Sequence, residues 1–391
     1  MRPKTSVKLS EAEFDRIKVR AKNLNELKKQ RHIGPDDWAT KVPFQVGIKM
    51  NNTCNLRCSH CFEWNDDGYH HAMDKEQRRD EVDLVLIERL LKQTEQSKSS
   101  FYLWGGEPLM YTKMEQLTDL FVQYPRWVTI CTNGMLTMRH LTHLLKISEN
   151  LAMLISLDGL EPENDAIRGK GVFNKVIAAI KHLLMLRQSN EYLGKVSICL
   201  TLNDGVIGKL GDFIQFFADL GVDSVYIVFP WYMPENVATD MDAWVTENLP
   251  HRAKHIKDFS QASWHGYTHH LSIAKTPELK REIQEITERT WSCRVRFHPD
   301  LQMDEIDDFV QGKPIPAEGK SSCAAITNRI DVLPGGSVSS CKFFPELEVG
   351  NIQALRLDDV WHGPAFQEFR KKIRCGLMPV CSKCTLLYST G

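Results

Sequence analysis

The sequence predicts an α/β fold built on a parallel sheet. Three observations carry this: six short apolar runs of strand length, an amphipathic helical pattern between each consecutive pair, and a turn-rich, cysteine-bearing tail in which the alternation stops. The runs cover residues 44–50, 101–104, 128–131, 153–157, 196–202 and 225–229. Between them apolar residues recur at helical spacing: Leu84/Ile87/Leu90/Leu91, Met114/Leu117/Phe121, Leu141/Leu144/Leu145, Val176/Ile177/Ile180/Leu183 and Ile207/Leu210/Phe213/Ile214/Phe217. Strands separated by helices pair in parallel through right-handed crossovers. In such sheets the functional residues gather at the C-terminal ends of the strands.

A chain of 391 residues holds two domains, or one barrel-sized domain with an appendage. Its formal net charge of −1 gives no general attraction to nucleic acid or anionic membrane. No apolar run approaches the ~18 residues of a membrane span. The opening MRPKTSVKLSEAEFDR lacks the apolar core of a secretory signal. These features indicate a cytoplasmic protein. In a reducing compartment eleven cysteines point to metal or redox chemistry more than to disulfides. Six of them fall in two tight groups, Cys54/Cys58/Cys61 and Cys375/Cys381/Cys384. Cys131, Cys199 and Cys293 stand alone and read as small core residues.

The expected organisation has four parts. Residues 1–41 form a helical extension, with a Ser10/Glu13 capping box, an apolar stripe of Phe14, Ile17, Ala21, Leu24 and Leu27 packed on the main domain, and a basic face of Lys18, Arg20, Lys22, Lys28 and Lys29. Residues 42–234 form the core, 235–320 a polar helical or linker region that includes GKPIPAEGK at 312–320, and 321–391 a small cysteine-bearing unit.

The first cysteine group, Asn51-Asn-Thr-Cys54-Asn-Leu-Arg-Cys58-Ser-His-Cys61, directly follows the first strand. Its C-x3-C-x2-C spacing supplies three thiolates, whereas structural zinc sites and most iron–sulfur clusters take four protein ligands. One cluster iron is thereby left open to a small-molecule ligand. On residues alone, a zinc site completed by His60, His70 or His71 stays open as the alternative. Further motifs sit at successive strand ends: Gly105-Gly106-Glu107-Pro108, Thr132-Asn133-Gly134, and Ser156-Leu157-Asp158-Gly159 followed by Asp165-Ala-Ile-Arg168-Gly169.

This ordered set resembles the radical S-adenosylmethionine (SAM) superfamily over roughly residues 44–232. The resemblance implies a partial (β/α)6 barrel with a [4Fe–4S] cluster on Cys54, Cys58 and Cys61, whose open iron is chelated by SAM. It implies reductive cleavage of SAM to a 5′-deoxyadenosyl radical that abstracts a substrate hydrogen, with the electron coming from a flavodoxin- or ferredoxin-type reductant. The motif Gly105, Gly106, Glu107, Pro108 would hold the SAM amino group, its glycines allowing close backbone approach to the ligand. Asn133, Ser156, Asp158 and Arg168 would complete the cofactor contacts, Arg168 through a bidentate fork suited to the SAM carboxylate. One departure is His60, where the family carries an aromatic residue near adenine; imidazole can still stack or donate.

In the tail, Cys323 and Cys341 form C-x12-G-x4-C and are followed by Cys375-x5-Cys381-x2-Cys384. Spacing alone also admits a zinc knuckle. The succession resembles the SPASM/twitch extension of radical SAM enzymes, a small α+β unit. It implies one auxiliary [4Fe–4S] cluster on Cys323, Cys341, Cys381 and Cys384, with Cys375 spare. Cofactors of this class carry the hard chemistry while the protein orients and shields it.

The family resemblance implies maturation of a ribosomally made precursor peptide. Lys342 after Cys341, where sulfatase maturases carry an aspartate base, counts against that activity. A radical SAM enzyme acting on a sugar or aminocyclitol is the enzymatic alternative, and a metal-binding scaffold the non-enzymatic one. The roughly 43 residues before the barrel look too short for a peptide-recognition domain. Leader recognition is therefore expected from a separate protein or from the helix around residues 14–27.

Overall fold

The computed structural model describes residues 1–316 and 319–390. Ala317 and Glu318 of the 312–320 loop, Gly391, and the side chains of Arg20 and Lys28 on the basic face lie outside the described residues. In chain order the strands are β1 (Lys4–Thr5), β2 (Gln45–Lys49), β3 (Ser100–Trp104), β4 (Val128–Thr132), β5 (Leu151–Ser156), β6 (Lys195–Thr201), β7 (Ser224–Val228), β8 (Thr290–Trp291), β9 (Arg294–His298), β10 (Arg329–Val332), β11 (Ser337–Ser339) and β12 (Glu348–Asn351).

The six expected runs become β2 to β7, each parallel to the next. Period-two alternation sets the layers. On β5, Leu151, Met153 and Ile155 are buried, whereas Ala152, Leu154 and Ser156 lie on the other, half-exposed face. The intervening helices supply the outer layer. Leu84–Gln93 buries Leu86, Ile87, Leu90 and Leu91, and Leu210–Leu220 buries Phe213, Ile214 and Phe217. Each such side chain contributes about 1.5–3 kcal/mol on leaving water.

The sheet is larger than the sequence suggested. β9 adds in parallel to β7, and β10 adds in parallel to the opposite edge, beside β2. The order is β12-β11-β10-β2-β3-β4-β5-β6-β7-β9, with β11 and β12 antiparallel. Residues 235–320 are thus more than helix and linker. They contain the helices Glu235–Asn248 and Thr276–Glu288, and also β9, whose sequence RVRFH hides its period-two pattern behind two arginines. The cysteine-bearing tail is likewise stitched into the core sheet through β10.

Gly47 shows how close that stitch is. Arg329 and Asp331 form a buried pair on β10, Nη2 to Oδ1 at 2.6 Å. A Cβ on Gly47 of the neighbouring strand would fall 1.9 Å from Asp331 Oδ1. Glycine is therefore required by close approach, not by backbone angle.

The N-terminal helix, Glu11–Ile33, starts at the expected capping box of Ser10 and Glu13. Its apolar stripe does not pack as expected: Phe14 is 49% and Ile17 47% exposed, and only Leu27 is buried. The surface beneath is charged, so the helix docks by polar contacts. Glu13 meets Lys195 at 3.4 Å and Arg294 at 3.1 Å, and Arg16 lies 4.3 Å over the Trp127 ring. Among the described residues no helix is long and apolar enough to cross a membrane.

Candidate active site

The loop after β2 carries Cys54, Cys58 and Cys61, with Cys58 buried and the others half-buried. It is held by its neighbours on the same end of the sheet. The amides of Gly106 and Glu107 donate to the carbonyls of Asn51 (3.0 Å) and Thr53 (2.7 Å), and the Ser59 amide donates to Ile167 O (3.1 Å). A Cβ on Gly106 would stand 2.1 Å from Thr53 O. The closest approach that the glycine pair allows is therefore to the cysteine loop itself.

Several N–H donors face the thiols. Leu56 N lies 3.4 Å and Asn133 Nδ2 3.8 Å from Cys54 Sγ, and Arg168 Nη1 lies 3.9 Å from Cys58 Sγ. Burial pushes the Cys54 and Cys61 thiols up to about 12 and raises Cys58 as well. Donors aimed at sulfur suit thiolates, the form in which cysteine binds metal. Three such sulfurs on one short loop fit a cluster that keeps one coordination position for another ligand.

Glu107 is buried, and its carboxylate accepts from Thr132 Oγ1 (2.6 Å), Asn133 N (2.8 Å) and Leu109 N (2.9 Å). Burial outweighs these bonds and raises its pKa. Its acceptors are spent joining the end of β3 to the end of β4, and Pro108 is buried in the turn that follows. Gly105 and Gly106 present backbone without side chains beside this anchored carboxylate. Asn133 bridges to the cysteine loop through Asn55 Oδ1, 2.8 Å away.

Asp158 is the hub at the end of β5. It has no exposed surface, and its Oδ2 lies 2.6 Å from Arg168 Nε and 2.6 Å from His60 Nε2. Its Oδ1 accepts from Thr201 N at 2.9 Å. Burial alone would raise its pKa, but the charges of Arg168 and His60 hold it well below the usual carboxylate range. Arg168 ends the helix Glu161–Arg168, while Asp165 of the same motif caps the next helix by accepting from Phe173 N at 2.9 Å. His60 is thus tied to a carboxylate and also faces His269, ring centroids 5.4 Å apart. The Ser156 hydroxyl, on the half-exposed face of β5, makes no hydrogen bond among the described residues.

Cys323, Cys341, Cys381 and Cys384 line one cavity, together with Trp231, Phe343 and Lys383. The Cys341 thiol feels the charges of Cys384, Cys381 and Cys323, the Cys384 thiol that of Cys323, and burial raises all four. This donor set fits an anionic four-thiolate centre. Cys375 ends the helix Pro364–Cys375, exposed and apart from that cavity. Among the described residues no three His, Cys, Asp or Glu side chains converge on a single-ion site.

Some interior residues escaped the sequence. Cys131 and Cys199 lie on the half-exposed faces of β4 and β6, not in the core, whereas Cys293 is buried as expected. Lys49 is buried with Glu63 (2.8 Å), Tyr69 and His70, and burial pushes His70 down to about 3. A lysine inside the apolar run QVGIK was the available signal. Lys342 places its ammonium 4.7 Å from the Tyr102 ring, 5.0 Å from Trp104 and 5.3 Å from Phe343, and burial lowers it to about 8.

Comparison with known proteins matches residues 48–194 to the radical SAM superfamily model and residues 323–385 to an iron-sulfur cluster-binding domain, SPASM. The chain carries a radical SAM domain followed by a SPASM domain. Similar radical SAM relatives include the antilisterial bacteriocin subtilosin biosynthesis protein AlbA of Bacillus subtilis, 21% identical over 88% of this chain and 68% of AlbA. Mycofactocin maturase MftC of Mycolicibacterium smegmatis is 27% identical over 46% of this chain, which spans less than half of MftC, 43%. Among solved structures, Streptococcus suis SuiB bound to precursor peptide SuiA superposes with a TM-score of 0.58 at 17% identity, over 98% of this chain and 79% of SuiB. That likeness establishes a shared fold, the partial barrel with a C-terminal cluster domain. The cofactors of this radical SAM chain are SAM and [4Fe–4S] clusters.

Proposed function

We propose that the chain is a cytoplasmic enzyme that matures a ribosomally made precursor peptide by radical chemistry. The observation that carries this reading is the match to AlbA along 88% of the chain, through both the core and the tail. Residues 42–234 would be the SAM-binding core and 321–391 the auxiliary-cluster unit. Cys54, Cys58 and Cys61 would hold a [4Fe–4S] cluster, which would supply the electron for reductive cleavage of SAM.

The chain's own residues bind and orient. Arg168, fixed by Asp158, would receive the SAM carboxylate, with Ser156 and His60 contributing to the nucleoside contacts. The Gly105–Gly106 backbone would receive the amino group. Glu107 and Asn133 would hold the cysteine loop and its donors in register. The cavity of Cys323, Cys341, Cys381 and Cys384 would hold the auxiliary cluster, an acceptor for the electron left on an oxidised substrate. The reductant would be a flavodoxin or ferredoxin. The exposed Phe14 and Ile17 on the N-terminal helix would serve leader recognition, directly or through a helper protein.

The test is anaerobic reconstitution, reduction with dithionite, and assay of 5′-deoxyadenosine, with the Cys54/Cys58/Cys61→Ala variant as control. The variant is expected to form none. Incubation with a precursor peptide encoded next to the gene, with and without its helper protein, is expected to change the peptide's mass. A mass change in an aminocyclitol and in no peptide would overturn the substrate assignment.

A further inference from the structure

Lys342 stands out when the charges of the barrel interior are matched against one another. Lys49 has Glu63 at 2.8 Å, Arg168 has Asp158 at 2.6 Å, and Arg329 has Asp331 at 2.6 Å. Lys342 has no ion pair or hydrogen bond among the described residues. Its ammonium sits instead among aromatic rings, 4.7 Å from Tyr102, 5.0 Å from Trp104, 5.3 Å from Phe343 and 6.0 Å from Trp231.

Those rings place it. Tyr102 and Trp104 belong to β3, the strand that runs into Gly105-Gly106, while Phe343 and Trp231 also line the cavity of the four C-terminal thiols. Lys342 therefore touches residues of both sites. Ring faces stabilise a cation, but a desolvated ammonium without an anion remains unfavourable. Asp331 and the thiols of Cys131 and Cys384 act on it through charge without a direct contact, so its hydrogen-bonding positions are left for a ligand.

We propose that Lys342 is a specificity-determining residue that binds a carboxylate of the substrate. The group is an acidic side chain or the C-terminal carboxylate of the peptide, held beside the aromatic wall formed by Tyr102, Trp104 and Phe343. This rests on the peptide-maturase reading for the identity of the substrate. The interaction itself is a charge-assisted hydrogen bond, which is stronger than a neutral one and lost with an isosteric amide. A second source of carboxylate is SAM, and the experiment separates the two.

The test uses holoenzyme with both clusters and S-adenosylhomocysteine in place of SAM. Calorimetric titration compares two blocked tripeptides, acetyl-Gly-Glu-Gly-amide and acetyl-Gly-Gln-Gly-amide. Wild-type protein is expected to bind the Glu peptide about tenfold more tightly, the margin of one charge-assisted contact. Lys342→Met is expected to bind both alike, and Lys342→Arg to keep most of the preference. SAM affinity is expected to be unchanged in both variants. Absence of preference in the wild type, failure of either peptide to bind, or the same preference in Lys342→Met would overturn the proposal. So would weakened SAM binding in Lys342→Met, which would assign the lysine to the SAM carboxylate. A shifted auxiliary-cluster potential with the preference intact would assign it to the cluster. If no precursor peptide is ever modified, the maturase reading fails while the Glu/Gln preference still stands on its own measurement.

Discussion

Asp158 and Arg168 form a buried ion pair, Oδ2 to Nε at 2.6 Å, and His60 closes on the same oxygen from the cysteine loop. One carboxylate thus orients both the expected SAM-carboxylate ligand and the residue beside the third cysteine. Asp158→Asn is expected to weaken SAM binding by about tenfold or more, because a charge-assisted contact is worth about 1.5–3 kcal/mol. Arg168→Ala is expected to weaken it further than Arg168→Lys, which keeps the charge but loses the fork. Ser156→Ala, removing one neutral hydroxyl, is expected to cost only about 1 kcal/mol. Equilibrium SAM binding to reconstituted protein measures all four. Normal binding by Asp158→Asn would show that the pair does not orient the arginine.

Metal content distinguishes the two thiol groups. Fully reconstituted protein is expected to carry about eight irons, from two four-iron clusters. Replacing Cys381 and Cys384 by Ser is expected to halve the iron and leave the SAM cluster's electron paramagnetic resonance signal in place. Cys375→Ser, at an exposed position, is expected to change neither. Stoichiometric zinc in an iron-replete preparation, or about twelve irons, would contradict the assignment.

Gly47→Ala puts a methyl group where Asp331 Oδ1 and Arg329 Nη2 now lie, 1.9 Å and 2.3 Å from the ideal Cβ position. The pair has to open or the strands have to part. Overpacking and loss of a buried pair together are expected to cost about 3 kcal/mol or more. Urea unfolding of the variant checks this, and adding Asp331→Ala is expected to be less than additive because the two changes share one contact. An unfolding midpoint equal to wild type would mean that the β2–β10 contact is looser than described.

Glu13 gives a pH signature for the N-terminal helix. Burial alone would raise its pKa, but hydrogen bonds from Ser10 and the charges of Lys195 and Arg294 lower it from 4.5 to about 2. A depressed folded-state pKa means that its stabilisation is complete above about 4.5 and fades as pH falls towards 2. Trp127 fluorescence, sensitive to Arg16 on its ring, is expected to report helix release over that window. In Glu13→Gln the change is expected to be present already at neutral pH. A wild-type emission profile in Glu13→Gln would refute this anchoring role.

The core strands and the strand-end motifs were legible because each carries a local signal. Apolar period-two runs mark β2 to β7, and glycine, cysteine and arginine patterns mark their ends. β9 and β10 were not, since their pairing is decided by partners far along the chain: RVRFH and RIDV read as polar until β7 and β2 cover them. The N-terminal helix misled in the other direction. Its cap and periodicity were right, but periodicity cannot say what lies opposite, and the floor it meets presents Lys195 and Arg294. The partners of Glu107 were illegible for a similar reason. A motif gives the residue type, whereas Thr132, Asn133 and Leu109 show where its oxygens are spent.

The parallel ladder from Arg329 to Val332 along Gln45 to Ile48 has a consequence for anyone wishing to recombine such enzymes. The tail is not a detachable cassette. Cutting the chain before Arg329 would leave the outer rim of β2 with unpaired amides and carbonyls, an invitation to edge-to-edge association. A transplanted tail from a relative would have to bring its own strand, in a register that leaves room above Gly47. Chimeras joined between β9 and β10 are therefore expected to stay soluble only when the donor's first strand and the host's β2 are exchanged together.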